Sequence, residues 1–192
     1  MKIDQKGRSM VEMLGVLAII GVLSAGGLAG YSKAMFQHRV NQTTDIIMLA
    51  LQRLMELSQK NLGEDFEIRT AEDIIKYKIL ENCQKVDSTR CKLPIGSLEL
   101  WSSKNNSKTH IGFQVNVTTI KECIALASMR WERALPIEWF GYVGVGGDYA
   151  DVFIYKTGST PINKTAPTEI ANACETACSS NLCYMELSLG IK

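Results

Sequence analysis

Residues 6–27 read KGRSMVEMLGVLAIIGVLSAGG, and this stretch decides how the rest of the chain is organised. From Met13 to Ser32 no side chain is charged. At 1.5 Å per residue such a run spans about 30 Å, the thickness of a bilayer's hydrocarbon core. Lys2, Lys6 and Arg8 precede it and would hold the amino terminus of a membrane span in the cytoplasm by the positive-inside tendency. Lys33 and Arg39 follow it and make that bias modest. One residue does not suit a plain span. Glu12 stands at the leading edge, where a carboxylate is costly in hydrocarbon. A secretory signal would use the basic start and a small-residue cut near Ser24-Ala25-Gly26 or Gly27-Leu28-Ala29. A signal anchor would use the full length. Neither gives Glu12 a purpose.

The first proline is Pro94, so nothing stops the helix at the bilayer surface. From Asn41 to Lys60 the pattern is amphipathic. Ile47, Ala50, Leu51, Leu54 and Leu57 recur at spacings of three and four, with Asp45, Gln52, Glu56 and Gln59 on the other side. Asn61 and Gly63 are stop signals. The spacing predicts one helix from about Arg8 to Lys60, roughly 80 Å long. The competing reading is a membrane anchor, a polar linker over Ser32 to Asp45, and a separate head.

The 192 residues suit one domain plus a long appended element. A net charge of +1 offers no basic field for nucleic acid. All six cysteines, Cys83, Cys91, Cys123, Cys174, Cys178 and Cys183, follow the apolar run. An even count placed only after a membrane signal fits an oxidising compartment and disulfides. Zinc ribbons want two close pairs such as CxxC, which are absent here, and the chain has only two His. The disulfide reading is therefore favoured over metal, with connectivity open.

The head reads as mixed α and β. Thr70 caps a helix running to near Cys83. Cys83 and Cys91 bracket a polar loop that a local disulfide would stabilise by about 2–3 kcal/mol. Leu98 to Trp101 is a strand, and Asn105-Asn106 a turn. In THIGFQVNVT the residues Ile111, Phe113, Val115 and Val117 share one face, the best strand pattern in the chain. Thr119 and Glu122 form a capping box that opens a helix carrying Cys123, Leu126, Ala127 and Arg130 and ending before Pro136. WFGYVGV and ADVFIYK flank a GGDY turn as a hairpin. After a loop marked by Pro161 and Pro167, Thr168 caps a helix holding Cys174 and Cys178. LCYMELSL closes as a strand with Cys183, Met185, Leu187 and Leu189 on one face. The fold class is α+β: a long amino-terminal spine helix, half transmembrane, packed on an antiparallel sheet.

No constellation reads as an active site, and neither a cofactor nor a metal is implied. His38 and His110 are isolated. GYVGVGG is glycine-rich but lacks the GxGxxG order of a phosphate loop, and a strand entering a hairpin explains it better. Asp148 and Asp151 lie near a glycine turn and could offer oxygens to calcium, but no acid cluster matches an EF-hand loop. Asn105-Asn-Ser, Asn116-Val-Thr and Asn163-Lys-Thr are sequons by pattern alone, and Trp101, Trp131 and Trp139 read as packing residues.

A basic leader ending in Gly7, Glu12 as the fifth residue after it, and an apolar helix directly behind together resemble the class III signal of type IV pilins and pseudopilins. The likeness covers about the first 35 residues. It implies a prepilin leader over 1–7, a transmembrane and assembly helix over 8–32, its amphipathic continuation over 33–60, and a disulfide-containing head over 61–192. Prepilin peptidase would cut between Gly7 and Arg8. Family members commonly methylate the new amine, which here belongs to Arg8, a cation where the family usually has Phe or Met. The proline found part-way along the helix in many type IVa members has Ala29 in its place. The late cysteine helix and final strand look more like type IVb pilins, in which a disulfide ties the carboxy-terminal segment to the head. Carried over, Cys123 would pair with Cys178 or Cys174, Cys178 being favoured, which leaves Cys174 with Cys183.

The resemblance implies a non-enzymatic structural subunit of a homo-oligomeric filament. Its partners would be prepilin peptidase, the inner membrane and a pilus or type II secretion assembly machinery. The head would be periplasmic before assembly, and the filament periplasmic or extracellular. Glu12 of one chain would meet the Arg8 amine of its neighbour; leaving either unpaired in an apolar surround costs several kcal/mol, so pairing selects register. The alternative from another class is a signal-anchored periplasmic enzyme or ligand-binding domain.

Overall fold

A computed structural model describes residues 10–59, 67–105, 108–129, 140–145, 152–156, 166–179 and 183–191. Four helices are described: α1 (Met10–Gln59), α2 (Ala71–Lys76), α3 (Ile120–Ala127) and α4 (Pro167–Ser179). The strands are β1 (Arg90–Lys92), β2 (Ser97–Asn105), β3 (Lys108–Asn116), β4 (Phe140–Val145), β5 (Val152–Lys156) and β6 (Tyr184–Ile191). The chain is α+β and divides into two compact units, Met1–Arg39 and Val40–Lys192.

α1 runs without a break across the stretch where a linker was the competing reading. In the second unit its buried stripe is Val40, Thr43, Thr44, Ile47, Ala50, Leu51 and Leu54, at the helical spacing of three and four. Leu57 is only half-buried, whereas Asp45, Gln52 and Glu56 are exposed as their pattern predicts. The two threonines extend the stripe beyond what hydropathy shows. Thr44 Oγ1 donates to the Val40 carbonyl at 2.9 Å, and Thr43 Oγ1 accepts the Ile95 amide at 3.1 Å. Each hydroxyl is thus satisfied in a dry place, which removes the penalty of burying it.

The sheet order is β1-β2-β3-β6-β4-β5, with every described pairing antiparallel. Ile111, Phe113, Val115 and Val117 are all buried, as the alternation of THIGFQVNVT predicts. β6 lies between β3 and β4, so both of its edges are paired. Met185 and Leu187 are buried on the expected face, and Tyr184 and Glu186 on the opposite face are buried too. β4 and β5 pair as the expected hairpin; its turn lies outside the described residues.

Two helix boundaries differ from expectation. α2 has the capping box of Thr70 and Asp73 but ends at Lys76 rather than near Cys83. Lys78 adopts a left-handed conformation (φ 52°), and Ile79 and Leu80 turn into the core. Apolar burial wins over continuing a short helix. α4 starts at Pro167, one residue before the expected cap Thr168. Proline suits the first helical position because its missing N–H has no partner there anyway. Glu169 accepts the Ala166 amide at 3.0 Å, and the Ala166 carbonyl accepts the Glu169 and Ile170 amides.

Candidate functional site

The first feature is the apolar half of α1. Leu14, Leu17, Ile19, Ile20, Val22, Leu23 and Leu28 are between 53 and 74% exposed, and successive steps of 100° carry them around the whole helix. Covering one such side chain is worth about 1.5–3 kcal/mol. Seven of them uncovered mark a surface made for lipid or for other protein, since soluble chains rarely expose a contiguous patch of this kind. By length and composition this helix can cross a membrane. Glu12 lies in its first turn, exposed, with no further charge until Lys33. Arg8 and Gly7, the expected cleavage position, lie outside the described residues. Nothing stands within 4 Å of a Cβ built on Gly15, Gly21, Gly26, Gly27 or Gly30, so the helix surface is low at each. His38 is exposed on the same helix.

The second feature is the set of disulfides. Cys83 and Cys91 close the predicted polar loop, with Cα atoms 5.2 Å apart. Inside that loop Asp87 accepts the Thr89 and Arg90 amides at 2.9 Å and the Arg90 Nε–H at 2.6 Å. The Arg90 guanidinium, with the amide donors, holds the Asp87 carboxyl well below the usual carboxylate range. The remaining pairs are Cys123–Cys174 and Cys178–Cys183. This corrects the favoured Cys123–Cys178 and Cys174–Cys183 pairing. Cys174 belongs to the buried stripe of α4 with Ile170, Ala173 and Ala177, and it meets Cys123 in the buried stripe of α3. Cys178 sits at the edge of that stripe, beside the residue that leads into β6.

No family model, curated protein or solved structure matches this chain.

The other sequence candidates scatter. His110 is on β3, far along the chain from His38, and Asp148 and Asp151 lie outside the described residues. Asn116, of the second sequon, is half-buried; its Oδ1 accepts Gln114 Nε2 at 2.9 Å and its Nδ2 is enclosed. The nitrogen that a glycan would need is thus inside the fold. Asn163 and Trp131 and Trp139 lie outside the described residues. Trp101 is half-buried opposite Gly112 in the β2–β3 register, and its indole fills the space a Cβ on Gly112 would take. Nothing in composition signals that pairing; the register alone reveals it.

Proposed function

We propose that this protein is a structural subunit of a type IV pilus or pseudopilus, cut after Gly7 and assembled through its amino-terminal helix. One observation carries the reading: a helix apolar on every face, with Glu12 in its first turn, continues without interruption into a disulfide-bonded α+β unit. A span that only anchors needs no acid there. In an assembling helix the acid has a task, because a buried carboxylate accepts only an arrangement that brings a cation to it. The cation offered is the new amine at Arg8, with the Arg8 side chain beside it. Most of the association energy comes from covering Leu14 to Leu28, and the charge pair sets the register. The head would face an oxidising compartment, where its disulfides persist.

Mass spectrometry of the mature chain tests processing: the reading expects a first residue of Arg8. A start near Gly27 or Gly30, or an intact Met1, would overturn it. Assembly is tested separately with Glu12→Gln, which is expected to insert and be cut normally yet yield few filaments. Filament yield equal to that of the unsubstituted chain would sink the role given to Glu12.

A further inference from the structure

Four of the six cysteines meet at one point. The sulfurs of Cys123, Cys178 and Cys183 lie within 4.8 Å of one another, and Cys174 is bonded to Cys123. These three sulfurs come from two different disulfides, so each bond has a sulfur of the other beside it. The two bonds differ in access. Cys123 and Cys174 are 1% and 0% exposed. Cys183 lines an open groove of about 730 Å³ whose walls include Lys85, Arg90, Lys92 and Val86. Cys178 is half-buried, so the Cys178–Cys183 bond is the more accessible of the two, and the Cys178 and Cys183 sulfurs are the ones beside the Cys123–Cys174 bond.

We propose that these four residues form one exchanging disulfide cluster, entered at Cys183 and passing between two pairings. Exchange proceeds by thiolate attack on a disulfide sulfur through a mixed disulfide. A small external thiol attacks as its thiolate at Cys183 Sγ, forms a mixed disulfide there, and displaces the Cys178 thiolate. Cys178 attacks Cys123 Sγ; the Cys123–Cys178 bond forms, the Cys123–Cys174 bond breaks, and Cys174 leaves as thiolate. Cys174 then attacks Cys183 Sγ, forming Cys174–Cys183 and releasing the external thiolate, which regains its proton from water. Two disulfides are present before and after, so the thiol acts as a catalyst and no net electrons are needed. Cys174 and Cys178, four apart on α4, lie on neighbouring turns of one face, which gives both access to Cys123. Either pairing ties α3 to α4 and α4 to the start of β6, so the same elements are joined before and after exchange.

The test uses the full chain in detergent with a glutathione redox buffer as the thiol. The reaction is stopped with acid, free thiols are alkylated, and the chain is cut after glutamate without reduction. Cleavage after Glu122, Glu132, Glu169, Glu175 and Glu186 separates the cluster into fragments 123–132, 170–175 and 176–186. The starting pairing gives 123–132 joined to 170–175, with 176–186 closed on itself. Exchange joins all three, and the expected result is a shift toward that three-fragment mass, with fragmentation locating the Cys123–Cys178 link and Cys83–Cys91 unchanged. A glutathione adduct on 176–186 with no three-fragment species would overturn the exchange, and absence of both would overturn Cys183 as the point of attack. Cys174→Ser supplies an independent arm without added thiol: Cys123 should capture Cys178 or Cys183, linking 123–132 to 176–186. Complete alkylation of Cys123 beside an intact Cys178–Cys183 bond counts against the proposal. The outcome does not depend on whether the chain assembles into filaments.

Discussion

Gly96 and Gly112 are both places where a methyl group does not fit, yet the neighbours it would strike differ in kind. At Gly96 the backbone is left-handed (φ +70°) and a Cβ would stand 1.9 Å from the Asn116 carbonyl oxygen. Neither can yield cheaply, since the carbonyl belongs to the end of β3 and the turn is closed by the Leu93 amide on the Gly96 carbonyl at 3.0 Å. The left-handed conformation alone costs a non-glycine residue about 1–2 kcal/mol. Gly96→Ala is therefore expected to lower the stability of the second unit by about 2 kcal/mol or more, read as a shift in the denaturant midpoint. At Gly112 the obstacle is the indole of Trp101, a side chain that can swing. Gly112→Ala should lose less stability and instead move the tryptophan toward water, with a red shift of its emission. A larger stability loss at Gly112 than at Gly96 would contradict this ranking.

The helix starts show which local signals carry through to the structure. Thr119 and Glu122 were legible as a capping box and form one: the Glu122 amide donates to Thr119 Oγ1 at 3.2 Å and the Thr119 amide to Glu122 Oε2 at 3.1 Å. Their partners sit within four residues, so sequence contains the whole motif. The length of α2 was not legible, because it ends where Ile79 and Leu80 are drawn into a core built from distant segments. α4 starts one residue before Thr168, since a hydroxyl there is a weaker cue than proline's fixed φ. Burial pushes the Glu122 carboxyl up, but the hydroxyl and amide donors of Thr118 and Thr119 outweigh it and hold it below its ordinary 4.5. Asp73 behaves alike: burial raises it, and the Arg69 amide and the Thr70 hydroxyl and amide bring it below 3.8. A depressed carboxylate contributes stability that is present above its unfolded pKa and is lost as pH falls through the folded one. The second unit should therefore weaken as pH falls below about 4.5, through the depressed pKa values of these carboxylates. Glu122→Gln should flatten that slope, and Thr119→Ala should cost about 1 kcal/mol at neutral pH. Thermal unfolding followed across that range checks both, and a slope unchanged by Glu122→Gln would remove Glu122 from the account.

At the scale of the molecule, the amphipathic stripe of α1 and the alternation of β3 were readable because each is a period within one segment. The strand order was not, because pairing is a choice among segments. The same limit applied to the cysteines: Cys174 and Cys178 lie on one helix face, and only the packing of α3 against α4 brings Cys174 to Cys123. β6 is where this matters most. It follows β3 in the sheet although β4, β5, α3 and α4 lie between them among the described residues, and it is the strand that joins β3 to β4. Tyr184, Met185 and Leu187 are buried there, worth roughly 5–9 kcal/mol at about 1.5–3 kcal/mol each. A domain's whole stability is typically about 5–15 kcal/mol. Ending the chain after Cys183 keeps the Cys178–Cys183 bond but removes this strand, leaving the facing edges of β3 and β4 unpaired. The truncated chain is expected to lose its near-ultraviolet circular dichroism and become open to trypsin across 108–156. If it kept native dichroism and resistance, β6 would be a covering strand and not the joint of the sheet.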